Sequence, residues 1–160
     1  MLVPHTMQEL LEGIGGGALT DLDEVIERYH QALDEFARGD PRPVKALYAH
    51  ADDITLANPF VGPPAHGWTD VSAALDYASS NFRDGEMTSS ERIEAYVTTD
   101  LATILELEQW QAKVGERDEV SPFLLRVTTT FRRDDDSWKM VLRHADPIAT
   151  PSPDGPLRTH

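Results

Sequence analysis

Acid, base and cation recur at alternate positions in the second half of this chain. His144 and Asp146 are two residues apart in an apolar-alternating segment, Arg126 and Thr128 stand likewise in another, and Glu106 and Glu108 in a third. In an extended strand, residues two apart share a face. The alternation places Trp138, Met140, Leu142, His144 and Asp146 on one face, and Ala102, Ile104, Glu106, Glu108 and Trp110 on another. If such faces line one cavity, a carboxylate, an imidazole and a guanidinium converge there, which is the equipment of general acid–base catalysis. The alternative is structural: a cation and a carboxylate paired across strands, with the histidine hydrogen-bonded to them. In either case a lone buried charge would be costly, so these groups are expected to be paired.

Other candidate chemistry is thinner. His50 with Asp52 and Asp53 has metal-binding residue types, but two aspartates before a strand fit a solvated turn. Asp134, Asp135 and Asp136 read as a hairpin loop for the same reason. Trp68 reads as core, beside a loop close to the cavity.

The elements that must carry these residues follow from periodicity. Leu22, Val25, Ile26, Tyr29, Leu33 and Phe36 recur at helical spacing, capped by Thr20 or Asp21 and ended by Gly39, Asp40 and Pro41. A short helix is expected over Pro43–Tyr48, a strand over Ile54–Ala57, a loop over Pro59–Gly67 and a third helix over Thr69–Phe82. From Met87 the period becomes two. Strands are expected over Ile93–Val97, Leu101–Val114, Pro122–Arg133 and Trp138–Ile148, joined by short connections into an antiparallel meander. Helices followed by such a sheet give an α+β architecture. Residues 1–20, with three glycines at 15–17, read as a flexible arm, residues 21–150 as the domain, and the proline-rich residues 151–160 as an irregular tail.

Composition narrows the function. The chain has 160 residues, enough for one self-sufficient core, and 40% of them are hydrophobic. Fourteen basic residues against 28 acidic ones leave a net charge of −14, which argues against nucleic acid or an anionic membrane as partner. With no cysteine, disulfides, thiolate catalysis and zinc–thiolate or iron–sulfur sites are excluded. No apolar run approaches the ~20 residues of a membrane span, and no signal-peptide pattern opens the chain, so a cytoplasmic protein is expected. No phosphate loop or metal cluster implies a cofactor. The strands are apolar on both faces, which suggests that one face meets the helices and the other a second copy of the chain. The outer stripe is read as Leu105 and Leu107 with Leu125, Val127 and Phe131.

Two stretches carry a family resemblance: LYAHADDITLANPFVGPPAHG at 47–67 and RRDDDSWKMVLRHAD at 132–146. With the order of helices and strands, they resemble the SnoaL-like and ketosteroid-isomerase-like families of the nuclear transport factor 2-like superfamily, over roughly residues 21–150. The resemblance implies a cone: three N-terminal helices packed in a strongly curved mixed or antiparallel sheet. It turns Leu142, His144 and Asp146 toward the interior, with Glu108, Thr128 and Arg126. The implied site has His144 and Asp146 exchanging protons and Arg126 holding an anionic oxygen. Tyr29, Asn58, Trp110, Glu106, Glu108, Thr128 and Leu142 would surround a small hydrophobic molecule.

The family's fold hosts isomerases, cyclases, dehydratases, hydrolases and non-catalytic association domains, so it does not fix the activity. One departure is informative. Ketosteroid isomerases place their base, an aspartate, directly before the Pro-Phe loop, where Asn58 stands here. An amide cannot take up that proton. Tyr29 also lies about one turn before the position of the family's oxyanion tyrosine, closer to Ala32. Steroid isomerisation is therefore not expected.

Overall fold

The computed structural model describes residues 17–60 and 62–148. Expectations for the N-terminal arm before Gly17 and for the tail after Ile148 lie outside the described residues. The elements in chain order are helix α1 (Gly17–Ala37), helix α2 (Arg42–Leu47), strands β1 (Thr55–Ala57) and β2 (Ala65–His66), helix α3 (Trp68–Ser80), and strands β3 (Phe82–Val97), β4 (Leu101–Val114), β5 (Ser121–Asp134) and β6 (Ser137–Pro147). The strands form one sheet in the order β2-β1-β6-β5-β4-β3. This is the α+β fold expected. The long strands β3 to β6 pair antiparallel, while β1 runs parallel to β6, so the sheet is mixed.

The helical periodicities are realised. Leu22, Val25, Ile26, Tyr29, Leu33 and Phe36 of α1 are all buried, as are Val71, Ala74, Leu75 and Ala78 of α3. They pack on the concave face of the sheet, formed by Ala102, Ile104 and Trp110 of β4, Leu125, Val127 and Phe131 of β5, and Trp138, Met140 and Ala145 of β6. The aspartate-rich hairpin also holds. Asp135 and Asp136 both take positive φ, 49° and 63°, as a two-residue turn between twisted strands requires.

Three expectations are corrected. Helix α1 begins at Gly17, ahead of the Thr20 or Asp21 cap. The loop from Pro59 to Gly67 contains a short strand, because Ala65 and His66 pair with Leu56 and Thr55. Strand β3 starts at Phe82, well before the alternation becomes visible. It is an edge strand with three register shifts against β4, so most of it lacks a covered face to imprint a period of two.

The first of those shifts, between Arg83 and Glu86, places Gly85 where the sheet meets the end of α1. A Cβ there would lie 2.5 Å from the Ala112 side chain, 2.7 Å from the Gln111 carbonyl and 2.9 Å from the Ala37 carbonyl. Two of these neighbours are backbone and cannot step aside. Gly85→Ala is therefore expected to destabilise the fold by about 1–3 kcal/mol, as overpacking does, read as a lowered denaturation midpoint; an unchanged midpoint would contradict this close approach.

Candidate ligand cavity

The concave face carries one buried ion pair. Arg143 of β6 donates from Nη2 to Glu108 Oε1 (2.8 Å) and from Nη1 to Glu108 Oε2 (2.9 Å), a fork on both carboxylate oxygens. A further Nη1–H reaches the Tyr29 hydroxyl on α1. Trp110 Nε1 donates to Glu108 Oε1 at 3.0 Å. Glu108 and Tyr29 are fully buried and Arg143 is 7% exposed. Burial disfavours the guanidinium charge, but Glu108, together with Tyr29 and Tyr48, outweighs it and holds Arg143 above its ordinary pKa. Burial pushes the phenols of Tyr29 and Tyr48 well above the usual tyrosine range. The Tyr48 hydroxyl, buried near this network, has no hydrogen-bond partner among the described residues.

Arg143 reaches this position through a bulge. Phe131 pairs with Met140 but Thr130 pairs with Leu142, so Val141 is the extra residue in β6. Each such insertion flips the strand's parity. Trp138 and Met140 point inward before the bulge; Arg143 and Ala145 point inward after it.

The expected pocket set divides accordingly. Tyr29, Glu106, Glu108 and Trp110 are inward and buried, as expected. Glu106 sits apart from the Arg143 network, accepting from His30 Nε2 at 2.8 Å, with Arg92 at 3.9 Å. Asn58 lines the cavity described below. Arg126, Thr128, Leu142, His144 and Asp146, by contrast, face outward. They are cross-strand neighbours, Arg126 opposite Asp146, Thr128 opposite His144 and Thr130 opposite Leu142, but on the convex side. Arg126 is bonded to Asp146 at 2.7 and 3.2 Å, with the arginine side chain 62% exposed. Leu125, Val127 and Phe131, expected on the outer stripe, are instead core. A buried arginine on Glu108 was anticipated, but its identity is Arg143 rather than Arg126. The run Met140-Val141-Leu142, three apolar residues inside an alternating segment, was the available signal of the phase break.

Elsewhere, His50 stacks on Trp68 at 3.7 Å and Asp53 bonds Arg132, so His50, Asp52 and Asp53 do not converge on one point. Among the described residues, no group of three or more His, Asp or Glu side chains is placed to hold a metal ion.

Next to the ion pair lies a small, mostly apolar chamber of about 40 Å³, whose lining includes Leu33, Phe36, Asn58, Phe60, Trp110 and Arg143. Room for a water begins at about 10–15 Å³, so the chamber admits a few waters or the polar end of a ligand, not a ring. Phe60, Phe82, Pro59 and Leu125 form its wall toward a second, more open apolar cleft of about 380 Å³, which continues along Phe123, Pro122 and Val114. A guanidinium carries five N–H groups. Three of Arg143's are used by Glu108 and Tyr29, and the other two have no partner among the described residues. What the arrangement can do is hold an oxygen at the floor of an apolar chamber.

The two arginines should separate cleanly on substitution. Arg143→Ala strands a buried carboxylate and is expected to cost about 3–5 kcal/mol, whereas Arg126→Ala removes an exposed pair and should leave the melting temperature almost unchanged. Equal losses would contradict the register. The two raised phenols give a pH dependence with a definite sign. Tyr29 and Tyr48 ionise near 10.0 when unfolded and higher when folded. Their contribution is therefore complete below about pH 10 and declines above it, as the unfolded chain sheds protons the folded one keeps. Denaturant melts across this range should show the decline, and Tyr48→Phe should reduce it while leaving neutral-pH stability equal or slightly higher, because the lost hydroxyl had no partner.

Among solved structures, a proposed dehydratase of the NTF2-like family from Streptomyces avermitilis is similar with a TM-score of 0.67 at 18% identity, over 83% of this chain and 98% of that one. A ketosteroid isomerase-like protein from Erwinia carotovora atroseptica gives 0.66 at 19% identity, over 82% and 96%. A proposed calcium/calmodulin-dependent protein kinase type II association domain from Thiobacillus denitrificans gives 0.61 at 20%, over 79% and 94%. These likenesses establish the NTF2-like fold. No curated protein matches the sequence. The family model of the SnoaL-like domain matches residues 22–150, and the chain belongs to that family.

Proposed function

We propose that this domain binds a small, largely apolar molecule through one neutral oxygen, a ketone or alcohol, held by Arg143. The observation that carries the reading is a buried guanidinium that keeps two N–H groups beyond those taken by Glu108 and Tyr29, on a residue that lines an apolar chamber. The charge of the preferred ligand follows from the pair itself. Glu108 already neutralises Arg143, so a second carboxylate would enter the cone without a counter-charge, at a cost of several kcal/mol. A carbonyl or hydroxyl needs only hydrogen bonds.

Binding is better supported than acid–base turnover. Glu108 accepts three hydrogen bonds, two from Arg143 and one from Trp110, and Glu106 is engaged by His30, so neither inward carboxylate of β4 stands poised as a base. The proton exchange between His144 and Asp146 expected from the sequence loses its geometric ground, because both face outward. A proposed dehydratase and an isomerase-like protein among the similar structures keep an enzymatic role within the family's range; the proposed association domain keeps a non-catalytic one.

The test compares 1-indanone with indane, which differ by a carbonyl in place of a methylene. The ketone is expected to bind at least tenfold tighter, as one good hydrogen bond in a dry site allows, and to shift the NMR signals of Arg143 Nε–H and Trp110 Nε1–H. Equal affinities, or an unmoved Arg143 signal, would sink the reading.

We further propose a homodimer through the convex face. With Leu125, Val127 and Phe131 assigned to the core, the outward stripe consists of Leu105 and Leu107 of β4, Leu124 of β5 and Leu142 of β6, interleaved with Thr103, Thr128 and Thr130. Light scattering at micromolar concentration should give twice the chain mass, and Leu107→Glu should halve it without unfolding the protein. A wild-type monomer would refute the assembly. Val127→Glu, by contrast, is expected to unfold the chain, since Val127 is 1% exposed and lies beneath the helices.

A further inference from the structure

The two cavities share Pro59, Phe60, Phe82 and Leu125, and of the two aromatic rings among them Phe60 is the one carried on a loop. Phe60 lines both the chamber of about 40 Å³ that holds the Arg143 guanidinium and the cleft of about 380 Å³ outside it. Its ring stands edge-on to Phe82, centroids 5.2 Å apart at 88°. Phe82 in turn lies nearly parallel to Phe123, at 5.8 Å and 13°, and to Trp110, at 5.8 Å and 29°. The ring walls are therefore flat and nearly parallel, with Phe60 set across them. Phe60 comes from the loop after β1, and Asn58 positions it: Asn58 Oδ1 accepts the Phe60 N–H at 2.9 Å, closing a tight turn around Pro59. Asn58, where the family's isomerases carry a base, thus serves here as the hinge pin of an aromatic partition.

We infer that Phe60 is a specificity-determining residue: its ring partitions the site, so that the ligand's flat apolar body rests in the outer cleft among Phe60, Phe82 and Phe123 while only its oxygen enters the Arg143 chamber. This rests on the reading that Arg143 receives a ligand oxygen, and it names the shape of the molecule that can deliver one. The volumes decide the division. A bicyclic ring cannot enter the inner chamber and has ample room in the outer one. The near-parallel Phe82 and Phe123 rings give the outer cleft flat walls, which favour planar ketones over globular ones.

The experiment measures the affinity of two ketones, planar 1-indanone and cage-shaped 2-adamantanone, for the wild-type protein, Phe60→Ala and Phe60→Leu, following the Arg143 Nε–H and Trp110 Nε1–H signals. Phe60 is only partly buried, so both variants are expected to fold, which the dispersion of the amide spectrum reports. Wild type should prefer indanone by tenfold or more. In Phe60→Ala the preference should fall to within about threefold, mainly through tighter adamantanone binding, with Phe60→Leu intermediate and the Arg143 signal responding to both ketones. An unchanged preference in both variants, with Arg143 still responding, would overturn the role of Phe60 alone. A silent Arg143 signal in all three proteins would overturn the oxygen-binding reading, and this inference with it.

Discussion

Burying an arginine and a glutamate inside an apolar interior is tolerable only if the two charges face each other and the carboxylate oxygens are hydrogen-bonded, and the interior is organised around meeting that demand. Glu108 is a fully buried carboxylate, and it is satisfied by three N–H groups, two from Arg143 and one from Trp110. Those contacts fix the Trp110 ring, which belongs to the stacked cluster with Phe82 and Phe123. Tyr29 must then lie over the pair, which ties α1 to the middle of the sheet. The ion pair is thus a weak source of net stability but a strong constraint on arrangement, since removing one member is far costlier than never having had either.

The convex and concave faces were separable in sequence only where the strands keep strict parity. In β4 they do: Ala102, Ile104, Glu106, Glu108, Trp110 and Ala112 alternate without interruption, and all are buried. The helices were equally legible, because a helix packed on one side leaves a stripe at helical spacing. In β6 the bulge at Val141 reverses the face of every later residue, and a count carried from Trp138 assigns His144 and Asp146 to the wrong side. Strand β5 offered little correction, since Leu124 and Leu125 are adjacent and both of its faces hold apolar and hydroxyl residues. Arg126, Thr128, His144 and Asp146 are neighbours across β5 and β6, but they lie on the face opposite Glu106 and Glu108, with which the sequence pattern joins them. The aromatic partition was beyond reach by periodicity, because Phe60 lies in a loop whose position depends on the Asn58 turn and on a helix and a strand distant in sequence.

The charge pattern fits this division. Most charged side chains of the described residues are at the surface, where pairs such as Asp40 with Arg42 and Asp53 with Arg132 hold their carboxyls below the ordinary aspartate range through hydrogen bonds to the arginines. Such exposed pairs contribute little to stability. Their service is to solubility, while the interior presents a charge-balanced pair and apolar walls. A negative surface over a neutral site selects against anionic molecules twice, at approach and at burial.

The irregular edge of the sheet has a further consequence. Strand β3 runs 16 residues along one margin with no second neighbouring strand among the described residues, long enough for a free edge to template the growth of a foreign strand. Ile93 and Tyr96 stand exposed on it, 49% and 65%, which would favour such growth. Its three register shifts break the ladder into short pieces that no straight strand can match, and Glu91, Arg92 and Glu94 put charge at the centre of the stretch. The opposite margin, β2, offers only two residues. The sheet of the described residues therefore ends on both sides in ways that resist amyloid-like propagation.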